Sequence, residues 1–152
     1  MSGSPDITSP SVGAAGSPAL VLGAEVPVLR RTPDSIDLFT FSAAAWLLHR
    51  IHYDLPFTTD HDGHPGLLVH GPLQGTFMIQ SVQWWLGRGA TLKAIQYRHT
   101  QPAYVGDTLL CSGTITAIDP EAGVFVAELW VRKEDGTTMT SGTATFEIPG
   151  SA

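Results

Sequence analysis

The spacing of apolar residues changes period several times along the chain. Residues 1–18 are mostly Ser, Gly, Pro and Ala with almost no large apolar side chains. Such a stretch cannot bury enough surface to offset its ordering entropy and is expected to be a disordered tail. Order is expected over 19–31, and Ile36-Asp37-Leu38-Phe39-Thr40-Phe41 alternates as a half-buried strand does. Ser42 then offers an N-cap hydroxyl to a short helix over 43–50. Pro56 halts regular structure, and 54–65 is polar and turn-rich, the mark of a loop.

The clearest helix follows. Gly71-Pro72 places proline at the start, where a missing N–H does no harm. Leu73, Phe77, Met78, Ile79, Val82, Trp84, Trp85 and Leu86 leave almost no polar face before Gly87 and Gly89, so other elements should enclose this helix. The remainder reads as antiparallel sheet. A strand over 93–100 is followed by a bend at Gln101-Pro102-Ala103-Tyr104-Val105-Gly106-Asp107, then a meander over 108–118, 124–133 and 137–148. Its turns are Asp119-Pro120-Glu121-Ala122-Gly123 and Asp135-Gly136, the latter a strong hairpin signal. The pattern predicts an α+β domain over 19–149, with an antiparallel sheet wrapped around a long central helix.

Composition narrows the partners. A net charge of −6, with only eight Lys and Arg, argues against general binding to nucleic acid or anionic membranes. No apolar run reaches the roughly 20 residues that span a bilayer. One cysteine, Cys111, excludes an intrachain disulfide, and its strand-like setting suggests a buried thiol. A cytoplasmic protein is expected. Five of the six histidines fall between 49 and 70, but their spacing matches no strong metal motif, and neither a metal nor a cofactor is expected.

Three segments together resemble the MaoC-like hydratase/dehydratase group of hotdog proteins. They are His49-Arg50-Ile51-His52-Tyr53-Asp54, Gly66-Leu67-Leu68-Val69-His70-Gly71-Pro72-Leu73-Gln74, and Tyr97-Arg98 through Pro102-Ala103-Tyr104-Val105-Gly106-Asp107-Thr108-Leu109. The subgroup of mesaconyl-CoA hydratases and 3-hydroxyacyl-thioester dehydratases has a similar pattern. The resemblance implies a single hotdog domain acting on an acyl-CoA or acyl-carrier-protein thioester, as a homodimer or higher homo-oligomer. In that group an acidic residue and a histidine hold the water, and the long helix offers a backbone N–H to the thioester oxygen. His52 falls on the histidine, Gly71 on the N–H donor, and Leu47 on the acid. Leucine can neither accept a proton nor orient a water.

His49 and Asp54 are the nearest replacements for the missing acid. An imidazole titrates near neutrality and can take and return a proton. A carboxylate could orient that imidazole. Arg50, His70, Lys93 and Arg98 are the candidate substrate-binding residues, the cations as contacts for phosphate. Trp84 and Trp85 suggest core or dimer packing. Other readings stay open: a non-catalytic subunit, a specialised lyase, cyclase or isomerase, and, less favoured, a thioesterase, because 71–89 holds no Asp or Glu.

Overall fold

The computed structural model describes residues 20–87 and 89–148. The expected tail at 1–18 and the first and last residues of the expected domain lie outside them. Seven longer elements follow in order: β1 (Glu25–Arg31), α1 (Ser35–Ala45), α2 (Gly71–Leu86), β2 (Leu92–His99), β3 (Leu109–Asp119), β4 (Val124–Lys133) and β5 (Thr138–Glu147). The strands form one antiparallel sheet in the order β1-β3-β4-β5-β2, so β1 and β2 are its edges.

Helix α2 packs against all five strands. Leu73, Phe77, Met78 and Val82 bury against Leu109, Ile115, Leu129, Val131, Met139 and Phe146. Phe125 and Phe146, opposite each other on β4 and β5, stack at 5.4 Å between ring centroids. Each such side chain is worth about 1.5–3 kcal/mol when fully buried. The enclosed helix and the meander are therefore as the apolar pattern predicts. Cys111 is buried, and burial pushes its thiol up to about 12, where it stays protonated and inert. Trp85 is half-buried against the core, whereas Trp84 stays 44% exposed.

The stretch 36–41 departs from expectation. It is helical, inside α1, and Ser42 lies within that helix rather than at its start. Asp34 is the cap: its carboxylate accepts from the N–H of Ile36 and Asp37 at 2.8 and 2.9 Å, while Asp37 accepts from the Asp34 N–H. This reciprocal box satisfies the first orphan donors, and the buried pair Leu38 and Ser42 then falls four residues apart on one face. The local cap thus overrides an accidental two-residue alternation. Helix α1 ends at Ala45, not 50, because Trp46 adopts a left-handed conformation (φ 56°). His49 to His52 are therefore not a helix face; Arg50–His52 is one turn of 3-10 helix. The expected loop at 54–65 contains a π-helical turn, Phe57–His61.

The bend at 102–107 braces the start of α2. Val69 N–H donates to the Ala103 carbonyl at 2.8 Å and Val105 N–H to the Leu67 carbonyl at 2.9 Å, a short ladder that fixes the three residues before His70. Asp107 closes the bend by accepting from the Tyr104 N–H at 2.8 Å and pairing with Lys133 at 2.7 Å.

Asp34→Ala should lower stability by about 1 kcal/mol, the usual worth of an N-cap. Urea unfolding monitored by circular dichroism measures it; an unchanged midpoint would show that the cap does not hold α1.

Candidate active site

Three histidines meet at the start of α2. The 3-10 turn brings His52 to residue 68, where its Nδ1 lies 2.9 Å from the Leu68 carbonyl oxygen. A carbonyl only accepts, so Nδ1 carries the hydrogen and Nε2 keeps its lone pair. His52 is thereby set up as a base. Its ring stacks on that of His70, with centroids 3.6 Å apart and planes 19° from parallel. His49 stands edge-on to it at 6.2 Å.

His70 is fully enclosed. A candidate substrate-binding residue, it has its ring stacked on His52, with Nε2 2.8 Å from the Ser42 hydroxyl and Phe41 edge-on at 5.0 Å. Its Nδ1 is buried without a hydrogen-bond partner among the described residues. A proton added there would be a buried, unpaired charge. Burial, with a smaller push from neighbouring His52, lowers the His70 pKa to about 4. His52 is also lowered, first by burial and also by His49, against the opposing hydrogen bond to Leu68. Both rings are held neutral at pH 7, as two cations stacked this closely would repel.

Gly71 opens α2 directly after His70. No side chain caps this end, and the first N–H groups of a helix have no acceptor within it. The Gly71 N–H therefore carries the positive end of the helix dipole toward any ligand beside it. Glycine is needed here for space. A Cβ on Gly71 would stand 2.2 Å from Nε2 of His99, and one on Gly75, a turn later, 2.9 Å from the Tyr97 ring. Residues 97 and 99 share one face of β2, so the two glycines of α2 receive two rings of the edge strand.

The other expected site residues sit apart from this cluster. Asp54 does not orient His52. Its carboxylate takes two hydrogen bonds from Arg50, at 2.6 and 2.9 Å, and one from the Phe57 N–H. The Arg50 hydrogen bonds, chiefly, hold the Asp54 pKa below the usual carboxylate range. Arg50 also lies 4.2 Å over the Phe57 ring, so this pair braces the loop. Lys93 pairs with Glu147 near the opposite end of β2, about 20 Å of strand from His99. Arg98 follows Tyr97 on the reverse face of the strand and forms no ion pair among the described residues. Leu47 is half-buried, its N–H bonded to the Ser42 carbonyl at 2.9 Å.

Ser42, the Leu68 carbonyl, and His99 with its supports Thr140 and Gln74 join the expected residues here. A backbone acceptor leaves no mark in a side-chain code. The pairing of Gly71 and Gly75, four apart, with Tyr97 and His99, two apart, was a usable signal.

The family model for hydroxyacyl-thioester dehydratase type 2 matches residues 23–105. Mesaconyl-C(4)-CoA hydratase of Chloroflexus aurantiacus is 48% identical over 48 residues, covering 32% of this chain and 17% of that protein. The mitochondrial hydroxyacyl-thioester dehydratase type 2 of Schizosaccharomyces pombe is 31% identical over 81 residues, covering 51% of this chain and 26% of that protein. The matched segments thus span less than a third of either relative. Among solved structures, the (R)-hydratase from A. caviae involved in PHA biosynthesis superposes with a TM-score of 0.80 at 19% identity. It covers 86% of this chain and 98% of its own, which establishes the hotdog fold.

The enclosed His70 sets a pH dependence. Its pKa is near 4 when folded against an ordinary 6.5, so below 6.5 the unfolded chain binds a proton that the folded one refuses. Stability should be full above about pH 6.5 and decline as pH falls toward 4. Urea midpoints across this window should fall less steeply in His70→Gln than in the wild type; equal slopes would place the dependence elsewhere.

Proposed function

Because the chain belongs to the hydroxyacyl-thioester dehydratase type 2 family, we propose that it adds or removes water across the 2,3-bond of an enoyl or 3-hydroxyacyl thioester. The observation that carries this reading is the pairing of a neutral His52, with its Nε2 lone pair available, and the uncapped start of α2 at Gly71. In hydration, Nε2 takes a proton from water as the water oxygen bonds to C3. The displaced electron pair moves onto the thioester oxygen, where the Gly71 N–H stabilises it. The same proton then passes from His52 to C2, and the base is restored.

In this reading His70 and Ser42 hold the His52 ring, and His49 lowers its proton affinity. Arg50 and Asp54 keep the preceding turn in place. The acyl group arrives on coenzyme A or a carrier protein, and Arg98 is the phosphate contact to test first. A homodimer is supported by the exposed apolar side chains of Ile36 (71%), Phe39 (61%) and Trp46 (79%), and by the open edge of β2. Among the described residues no helix is long and apolar enough to cross a membrane. The single buried thiol is compatible with the cytoplasm we assign.

Leu47 favours one second reading, a non-catalytic hotdog subunit that shapes the acyl site of a partner. Purified chain assayed with crotonyl-CoA separates the possibilities. Loss of the enoyl absorbance is expected, with turnover about 100-fold or more lower in His52→Ala. An unchanged rate in that variant would remove His52 from the chemistry. Release of free thiol would indicate hydrolysis instead. Activity only beside a homologous partner would favour the subunit reading.

A further inference from the structure

His99 lies against Gly71, the residue that follows His70 of the His52 stack, and no part of the reading above uses it. Its Nδ1 lies 2.8 Å from the hydroxyl of Thr140, the residue opposite it on β5. That hydroxyl in turn donates to Oε1 of Gln74 at 2.7 Å. Thr140 and Gln74 are both buried. An amide oxygen only accepts, so the single hydroxyl hydrogen of Thr140 is committed to Gln74. Nδ1 of His99 must then be the donor to Thr140, which leaves Nε2 as a lone pair. The same Nε2 is the atom nearest the missing Cβ of Gly71. Tyr97 fixes the ring from the side, edge-on at 5.3 Å.

We propose that His99 is a further catalytic residue, whose Nε2 lone pair beside Gly71 accepts a hydrogen bond from the reacting water and so supplies the acceptor that Leu47 lacks. This rests on the hydratase/dehydratase reading. A water between two acceptors directs one hydrogen to His52 and the other to His99, with its own lone pair turned to C3. The hydrogen on the His52 side leaves as the proton and returns to C2. The hydrogen on the His99 side stays on oxygen and becomes part of the new hydroxyl. Atoms and charge balance without another reactant. Burial lowers the His99 pKa, which keeps the ring in its accepting form at neutral pH. The buried Gln74 fixes the direction of the whole relay, from an amide oxygen through one hydroxyl to one ring nitrogen.

His99→Asn tests this directly, because its amide N–H can still reach Thr140 while the Nε2 acceptor is gone. In the crotonyl-CoA assay kcat should fall about 100-fold, with KM and the thermal midpoint little changed. Wild-type kcat in His99→Asn would overturn the proposal and leave the hydratase reading intact. Nitrogen-15 NMR of the histidine-labelled full chain gives an independent readout. His99 should show hydrogen on Nδ1 only, and its Nε2 resonance should move on titration with butyryl-CoA, a saturated thioester that cannot be hydrated. Hydrogen on Nε2, or no movement with butyryl-CoA, would overturn the proposal whether or not crotonyl-CoA is turned over. Movement with butyryl-CoA in a chain that leaves crotonyl-CoA unchanged would support His99 at the acyl site and reject the reaction.

Discussion

Helix α2 has too little polar surface to face water, and enclosing it shapes the rest of the molecule. Leu73, Phe77, Met78 and Val82 can be buried together only if strands surround the helix. The sheet does this with β1 and β2 left as edges. A helix held on most sides has its polarity exposed at its ends. The N-terminal end, uncapped by any side chain, is where we propose that the chemistry occurs.

Two close approaches shape that end. The short ladder between residues 67–69 and 103–105 fixes the Leu68 carbonyl, and that carbonyl sets the tautomer of His52. Gly71 and Gly75 in turn lack the side chains that would push β2 away, so His99 and Tyr97 lie against the first turns. Both arrangements depend on buried polar partners: Ser42 behind His70, and Thr140 with Gln74 behind His99. Each leaves an imidazole neutral with one defined acceptor nitrogen. Fixing direction in advance, rather than at the moment of reaction, is how such sites lower a barrier.

The sequence revealed the enclosed helix and the meander because apolar periodicity over ten or more residues is hard to produce by accident. It misread 36–41, where the run is short and a capping box between Asp34 and Asp37 decided the outcome. His52 and Gly71 were legible as neighbours of recognisable motifs. His99 was marked only by the spacing of Gly71 and Gly75 against Tyr97 and His99, since it lies 28 residues beyond Gly71 and meets it through the packing of β2 on α2. Asp54 seemed a natural partner for His52, yet Arg50, four residues before it, offers a closer and charged one. Proximity in sequence names candidates; competition between partners in space selects among them.

We propose that an acyl thioester lies across the start of α2, between His52 and His99. A crystal structure with butyryl-CoA bound measures this most directly. The thioester oxygen is expected within hydrogen-bond distance of the Gly71 N–H, with C3 facing both imidazoles. An acyl chain bound elsewhere, for example on the outer face of the sheet beside Trp130 and Arg132, would contradict it.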